Sequence, residues 1–256
     1  MLGAIIGDIV GSRFEARPFK GTDFELFTQQ CTFTDDTVLS VAVADSLLQR
    51  APYSTKIKEY YRRYPWAGFG GSFQIWAASN SEEPYNSLGN GSAMRVSPVA
   101  WYYNQREQVL QQAENSAAVT HNHPEGIKGA QAVALAIHLA RQGTDKAEIK
   151  SQISQGFGYN LDRSLEDIRP GYSFDVTCPG SVPEALICFL EAQDFEQAIR
   201  NAVSLGGDSD TQACIAGSVA EAFFQGVPQK LREQGLDFLD NFLQSKVEEF
   251  LKTVGN

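Results

Sequence analysis

Residues 34–50 read TDDTVLSVAVADSLLQR. Val38, Val41, Ala42, Asp45 and Leu48 recur at the i, i+3, i+4, i+7 spacing of a helix, and small residues fill much of the rest. Thr34 stands where an N-cap belongs, and Asp35 and Asp36 fall in the first turn, where the helix dipole favours carboxylates. The same period returns over residues 124–141, opened by Pro124 and Glu125 and followed by Gly143. It returns again over 209–224, with Ala213, Ala216, Ala220 and Phe223 on one face. Weaker helical patterns cover 54–64, 106–119, 181–191, 194–204 and 238–252, whereas alternating strand patterns joined by hairpin turns are missing. The expectation is an all-α chain forming one compact domain over residues 1–256, with loops at 65–93 and 156–182 as the natural place for function.

Composition narrows the function classes. With 43% hydrophobic residues the chain can fill a core, so disorder is excluded. A formal charge of −10 and a pI near 4.8 leave no basic footprint for a phosphate backbone, so nucleic-acid binding through bulk charge is not expected. The opening MLGAIIGDIVGS has no positively charged start and is interrupted by Asp8, which argues against a cleaved signal peptide, and no apolar run is long enough to span a bilayer. Cys31, Cys178, Cys188 and Cys214 show no metal-ligand or disulfide spacing and read as buried thiols. A cytoplasmic monomer without membrane contact is the expectation.

Five motifs carry candidate chemistry. Thr34-Asp35-Asp36 and Asp208-Ser209-Asp210-Thr211 open two distant helices with the same group of carboxylate and hydroxyl oxygens. One such side chain suffices for a cap, and several converging like charges repel unless a cation lies between them. Oxygen-only ligands select Mg²⁺, Mn²⁺ or Ca²⁺ over zinc, and three side chains from each helix suit a metal pair. Spacing alone leaves plain capping equally open. LGNGSAMR at 88–95 reads as a glycine turn entering a helix, either a weak cradle for phosphate or an ordinary turn. THNHP at 120–124 holds two of the three histidines; without a companion Cys or His pair, hydrogen bonding to a substrate suits His121 and His123 better than a metal does. In GDIVGSRFE at 7–15, Asp8 needs a partner inside an apolar helix, and Glu15 either hangs over a cleft as a general base or is a solvated glutamate.

In this order GAIIGDIVGSRFEA, FTDDT, GNGSAMR, THNHPEGIKGA and GGDSDTQACIAG resemble the ADP-ribosylglycohydrolase family, from about residue 3 to residue 227. The resemblance implies an orthogonal all-α domain whose central cleft holds two Mg²⁺ or Mn²⁺ ions. Metal ligands fall on Thr34, Asp35, Asp36, Asp208, Asp210 and Thr211, and the glutamate of the flap beside the cleft falls on Glu15. Substrate contacts fall on Ser87, Gly89, Asn90, Gly91 and His121, with Tyr172 as an aromatic face for adenine and the N–H groups of residues 89–91 under the diphosphate. The implied reaction is hydrolysis of the glycosidic bond between ADP-ribose and a modified protein side chain or small molecule, with Glu15 as acid or base and Asp36 or Asp210 assisting. PWAGFGGS at 65–72 stands where some arginine-directed members carry a functional aspartate, so more of the task falls on Glu15. The competing expectations are a binuclear Mg²⁺ phosphohydrolase and a non-catalytic structural relative.

Overall fold

The computed structural model describes residues 1–255. Its helices are, in chain order, α1 (Leu2–Glu15), α2 (Asp35–Gln49), α3 (Tyr53–Arg63), α4 (Gly71–Ala78), α5 (Gly91–Met94), α6 (Ser97–Tyr102), α7 (Arg106–Ala118), α8 (Pro124–Arg141), α9 (Lys146–Phe157), α10 (Leu165–Ile168), α11 (Cys178–Glu191), α12 (Phe195–Val203), α13 (Ser209–Phe223), α14 (Gln229–Leu236) and α15 (Asn241–Val254). Among the described residues no strand forms; Gly89 and Thr177 make an isolated antiparallel bridge. The all-α reading holds, and α2, α8 and α13 lie where the apolar period puts them. The loop expected over 65–93 contains α4, a two-turn helix whose flanking glycines and exposed Ile75 blur its apolar face. Helix α9 escapes the pattern because Ile149 and Ile153 are its only buried residues; its clearest signal is Asp145, which caps it by accepting from Glu148 N at 2.9 Å.

Close approach of α1 to α13 sets the frame for everything else. Gly3, Gly7 and Gly11 form one stripe on α1, and a Cβ on them would fall 2.1 Å from Gly217 O, 2.0 Å from Ala213 O and 2.4 Å from Ser209 O. No side chain fits such gaps, so alanine at Gly7 would force the helices apart. The two helices run past each other so that the last turn of α1, carrying Glu15, meets the first turn of α13.

Asp8 ties in the third element. Fully buried on α1, it accepts hydrogen bonds from Thr34 N at 2.9 Å, Thr34 Oγ1 at 2.7 Å and Thr37 N at 3.0 Å. The partner that an interior carboxylate requires is thus the start of α2. Around this frame α8 is central, its alanine-rich length packed by α5, α6, α7, α9, α11 and α13 within one continuous apolar core. All four cysteines are free and buried.

Candidate active site

The starts of α2 and α13, the end of α1 and the turn before α5 open onto one cleft of about 440 Å³. Thr34, Asp35, Asp36, Asp208, Asp210, Thr211 and Glu15 all line it, so the two acidic clusters do meet. Capping explains part of the set: Thr34 Oγ1 accepts from Asp36 N at 3.3 Å. It does not explain Asp208, which occupies the N-cap position of α13 without a capping bond and accepts instead from Asn90 Nδ2 at 2.7 Å. Asp36 and Thr211 join the two helix starts directly, Thr211 Oγ1 donating to Asp36 Oδ2 at 3.3 Å, while Asp36 Oδ1 is buried with no partner among the described residues. Carboxylate oxygens of Glu15, Asp208 and Asp210 lie within 4.8 Å of one another.

Crowded carboxylates in a buried place hold their protons. Burial first, and then the charge of Asp8, pushes Asp35 up to about 8. Asp36 and Asp210 are raised well above the ordinary carboxylate range, again first by burial and next by Asp8 and Asp208 respectively. Glu15, whose side chain is exposed at the mouth, is raised by partial desolvation and by Asp208. An orphaned interior carboxylate oxygen beside a cluster of hard oxygen donors fits a divalent cation of the Mg²⁺ or Mn²⁺ type.

A second part of the lining is shaped by small residues and meets the acids where Asn90 bonds Asp208. Ser87, Gly89, Asn90, Gly91 and His121 line it together with Tyr85, Phe73 and Arg95. A Cβ on Gly91 would sit 3.1 Å from His121 Nε2, and one on Gly89 would sit 3.4 Å from the same atom. His121 is buried, and desolvation followed by the nearby charge of Arg95 drives its pKa well below the usual histidine value, so the ring is neutral.

The ADP-ribosylglycohydrolase family model matches residues 1–253 of the chain. The chain belongs to that family. Over 337 residues it is 26% identical to the ADP-ribosylhydrolase ARH3 of Homo sapiens, a match covering 99% of this chain and 93% of that protein. Over 278 residues it is 27% identical to the ADP-ribosylarginine hydrolase Tri1 of Pseudomonas putida, covering 91% and 72%. A solved ADP-ribosylglycohydrolase-related protein complex has a chain of the same fold, with a TM-score of 0.76, 25% identity, and coverage of 99% and 97%.

Three details of the ADP-ribosylglycohydrolase cleft differ from expectation in this chain. Tyr172 is not among the lining residues: its ring covers Gly207 and its hydroxyl donates to Gly180 O at 2.8 Å. His123 caps α8, its Nδ1 accepting from Glu125 N at 3.1 Å, and is likewise absent from the lining. Two of the three N–H groups expected under a diphosphate are already used, Gly89 N donating to Ser87 Oγ at 3.1 Å and Asn90 N to Val176 O at 2.8 Å. In each case a partner within the folded chain takes the donor or acceptor that the sequence alone left free. Conversely, the cleft enlists Tyr85, Phe73 and Arg95, which the motifs did not assign. Only Arg95 carried a signal, as a charged residue ending the GNGSAMR turn.

Proposed function

We propose that this chain is a hydrolase, one domain over residues 1–256, that releases ADP-ribose from a modified protein side chain or small-molecule acceptor. The observation that carries the reading is the convergence of two acidic helix starts and Glu15 in one cleft, facing a glycine turn and a neutral histidine. Two divalent cations, Mg²⁺ or Mn²⁺, suit Thr34, Asp35, Asp36, Asp208, Asp210 and Thr211, with Glu15 bordering the same space. Bound there, they would supply Lewis-acid polarisation and a template for the ribose hydroxyls.

The protein's own groups supply the rest. Asn90 holds Asp208 in place through its amide. Asp8 fixes the start of α2 and with it Asp35 and Asp36. Glu15 at the mouth is placed to take a proton from the attacking water or give one to the departing group, as cleavage through an oxocarbenium-like centre requires, with Asp36 or Asp210 assisting. Tyr85 and Phe73 are the cleft aromatics against which an adenine can pack. Among the described residues no helix is long and apolar enough to cross a membrane, and a cytoplasmic monomer acting on ADP-ribosylated partners completes the proposal.

Calorimetric titration of ADP-ribose with and without Mg²⁺, repeated on Asp35→Ala, tests this. Binding that depends on the cation and disappears in the variant is expected, together with release of ADP-ribose from a modified peptide. A wild-type protein that binds no ADP-ribose under either condition would overturn the reading.

A further inference from the structure

Among the described residues Arg95 is the largest side chain with no solvent exposure at all, and it lies against the cleft without an ion pair to a carboxylate. Its Nη2 donates to Ser116 O at 2.9 Å and to Thr120 Oγ1 at 2.8 Å; Nε and Nη1 have no partner among the described residues. Thr120 Oγ1 in turn lies 2.7 Å from His121 Nδ1. A guanidinium can only donate, so Thr120 receives one hydrogen from Arg95 and has its own hydroxyl hydrogen to place. The lone pair of Nδ1, 2.7 Å away, takes it when the phenol of Tyr85, also beside Thr120, donates to the second lone pair of Oγ1. A proton on Nδ1 would instead make Oγ1 accept from the ring and the guanidinium at once and turn its own hydrogen away toward Tyr85, and a second proton on the ring would set two buried cations one hydroxyl apart.

We propose that Arg95 is a positioning residue which, through Thr120, holds His121 as the neutral tautomer with its hydrogen on Nε2, facing the Gly89–Gly91 turn. The turn is where that hydrogen has room, because Nε2 sits close to the positions a Cβ would take on Gly89 and Gly91. The device answers a problem specific to this cleft. An imidazolium would be drawn to the carboxylates that share the cleft, whereas a neutral ring with a fixed N–H offers one donor to an acceptor oxygen of the ligand and leaves the acids to their cations. If Arg95 served only to satisfy Ser116 at the end of α7, a lone pair of Thr120 Oγ1 would be left free to accept from Nδ1 and no tautomer would be imposed.

The tautomer itself stands independently of the function proposed above; only its role toward ADP-ribose rests on that reading. Long-range proton–nitrogen correlation spectra of the whole chain with ¹⁵N-labelled histidine read it directly, the His121 signals being identified by their loss in His121→Gln. The expected wild-type spectrum shows an unprotonated Nδ1 and a protonated Nε2 at about pH 7. Thr120→Val keeps the side-chain shape and removes the hydroxyl; mixed tautomers and about tenfold weaker ADP-ribose binding are expected, both reversed in Thr120→Ser. This pair avoids Arg95→Met, which risks losing the fold. A protonated Nδ1 in the wild type, or a spectrum that Thr120→Val leaves unchanged, overturns the relay. The expected tautomer in a protein that binds no ADP-ribose supports the relay and overturns the function.

Discussion

One wall of the cleft gathers carboxylates from three helix ends; the other is a glycine turn, an asparagine amide and a neutral imidazole. The first wall is defined by charge and the second by shape. Repulsion among Asp35, Asp36, Asp208, Asp210 and Glu15 is relieved only by protons or cations, so that wall responds to pH and to divalent ions. The glycine wall contains no group that titrates near neutrality, since His121 is held neutral, and it answers to volume. Binding of a sugar nucleotide needs both, and each should fail in its own way.

The largest effect is expected on the acidic wall. Replacing Asp208 and Asp210 together by alanine should lower release of ADP-ribose from a modified peptide by about 100-fold or more, because the set of hard oxygen donors is broken. The helical circular dichroism should persist, since α13 is seated by its glycine contacts with α1 and not by these side chains. A double variant that keeps near-normal turnover would mean that the carboxylates are helix-start decoration.

Next in size is the pH response of the cation-free protein. Asp35 has its pKa raised to about 8, against roughly 4 in the unfolded chain, and Asp36 and Asp210 are raised in the same direction. Between those limits the folded state holds more protons than the unfolded one, so stability falls as pH rises. His121, lowered, works the opposite way below its unfolded pKa of about 6.5, but it is one group against several. In chelator, the melting temperature should drop by on the order of 5 °C from pH 5 to pH 8, and Mg²⁺ should restore it at the upper end. A profile that rises over this range, or ignores Mg²⁺, would remove the distinction between the walls.

Gly91→Ala sharpens the comparison from the other side. Its Cβ would come 3.1 Å from His121 Nε2 and 3.2 Å from Cε1, so the ring has to yield by a few tenths of an ångström. About tenfold weaker ADP-ribose binding is expected by calorimetry, with the Mg²⁺-dependent rise in melting temperature intact. If the thermal response to Mg²⁺ were lost as well, the two walls would be acting as one.

The same contrast explains what could be read from the residues alone. Acidic clusters announce themselves, because two copies of an Asp/Thr helix start exceed what capping needs, and Asp208 confirms the surplus by making no cap bond. The apolar period located α2, α8 and α13 because each buries a face rich in Ala, Val or Leu. Shape is harder to read. Phe73 and Tyr85 reach the cleft from a stretch that looks like loop, and nothing in their spacing points there. Nor does the pattern tell whether a turn's N–H groups are free: Val176, distant in sequence, takes the hydrogen of Asn90.

Tyr172 provides the smallest effect and the finest discrimination. Outside the cleft, it acts as a bracket behind the acidic wall: its ring lies over Gly207, where a Cβ would fall 2.4 Å from Cε1, and its hydroxyl holds Gly180 O near the start of α11. Its own carbonyl accepts from Lys20 Nζ at 2.6 Å, tying in the segment that follows Glu15. Phenylalanine keeps the ring and its cover over Gly207 and removes one hydrogen bond, so a loss of about 1 kcal/mol in stability is expected from denaturant unfolding. ADP-ribose affinity should stay within about twofold of wild type, because a bracket that still covers Gly207 leaves Asp208 where it was. A tenfold loss of affinity with unchanged stability would place Tyr172 against the ligand after all, as the family resemblance implies, and would require the 172–176 segment to fold over the cleft when ADP-ribose binds.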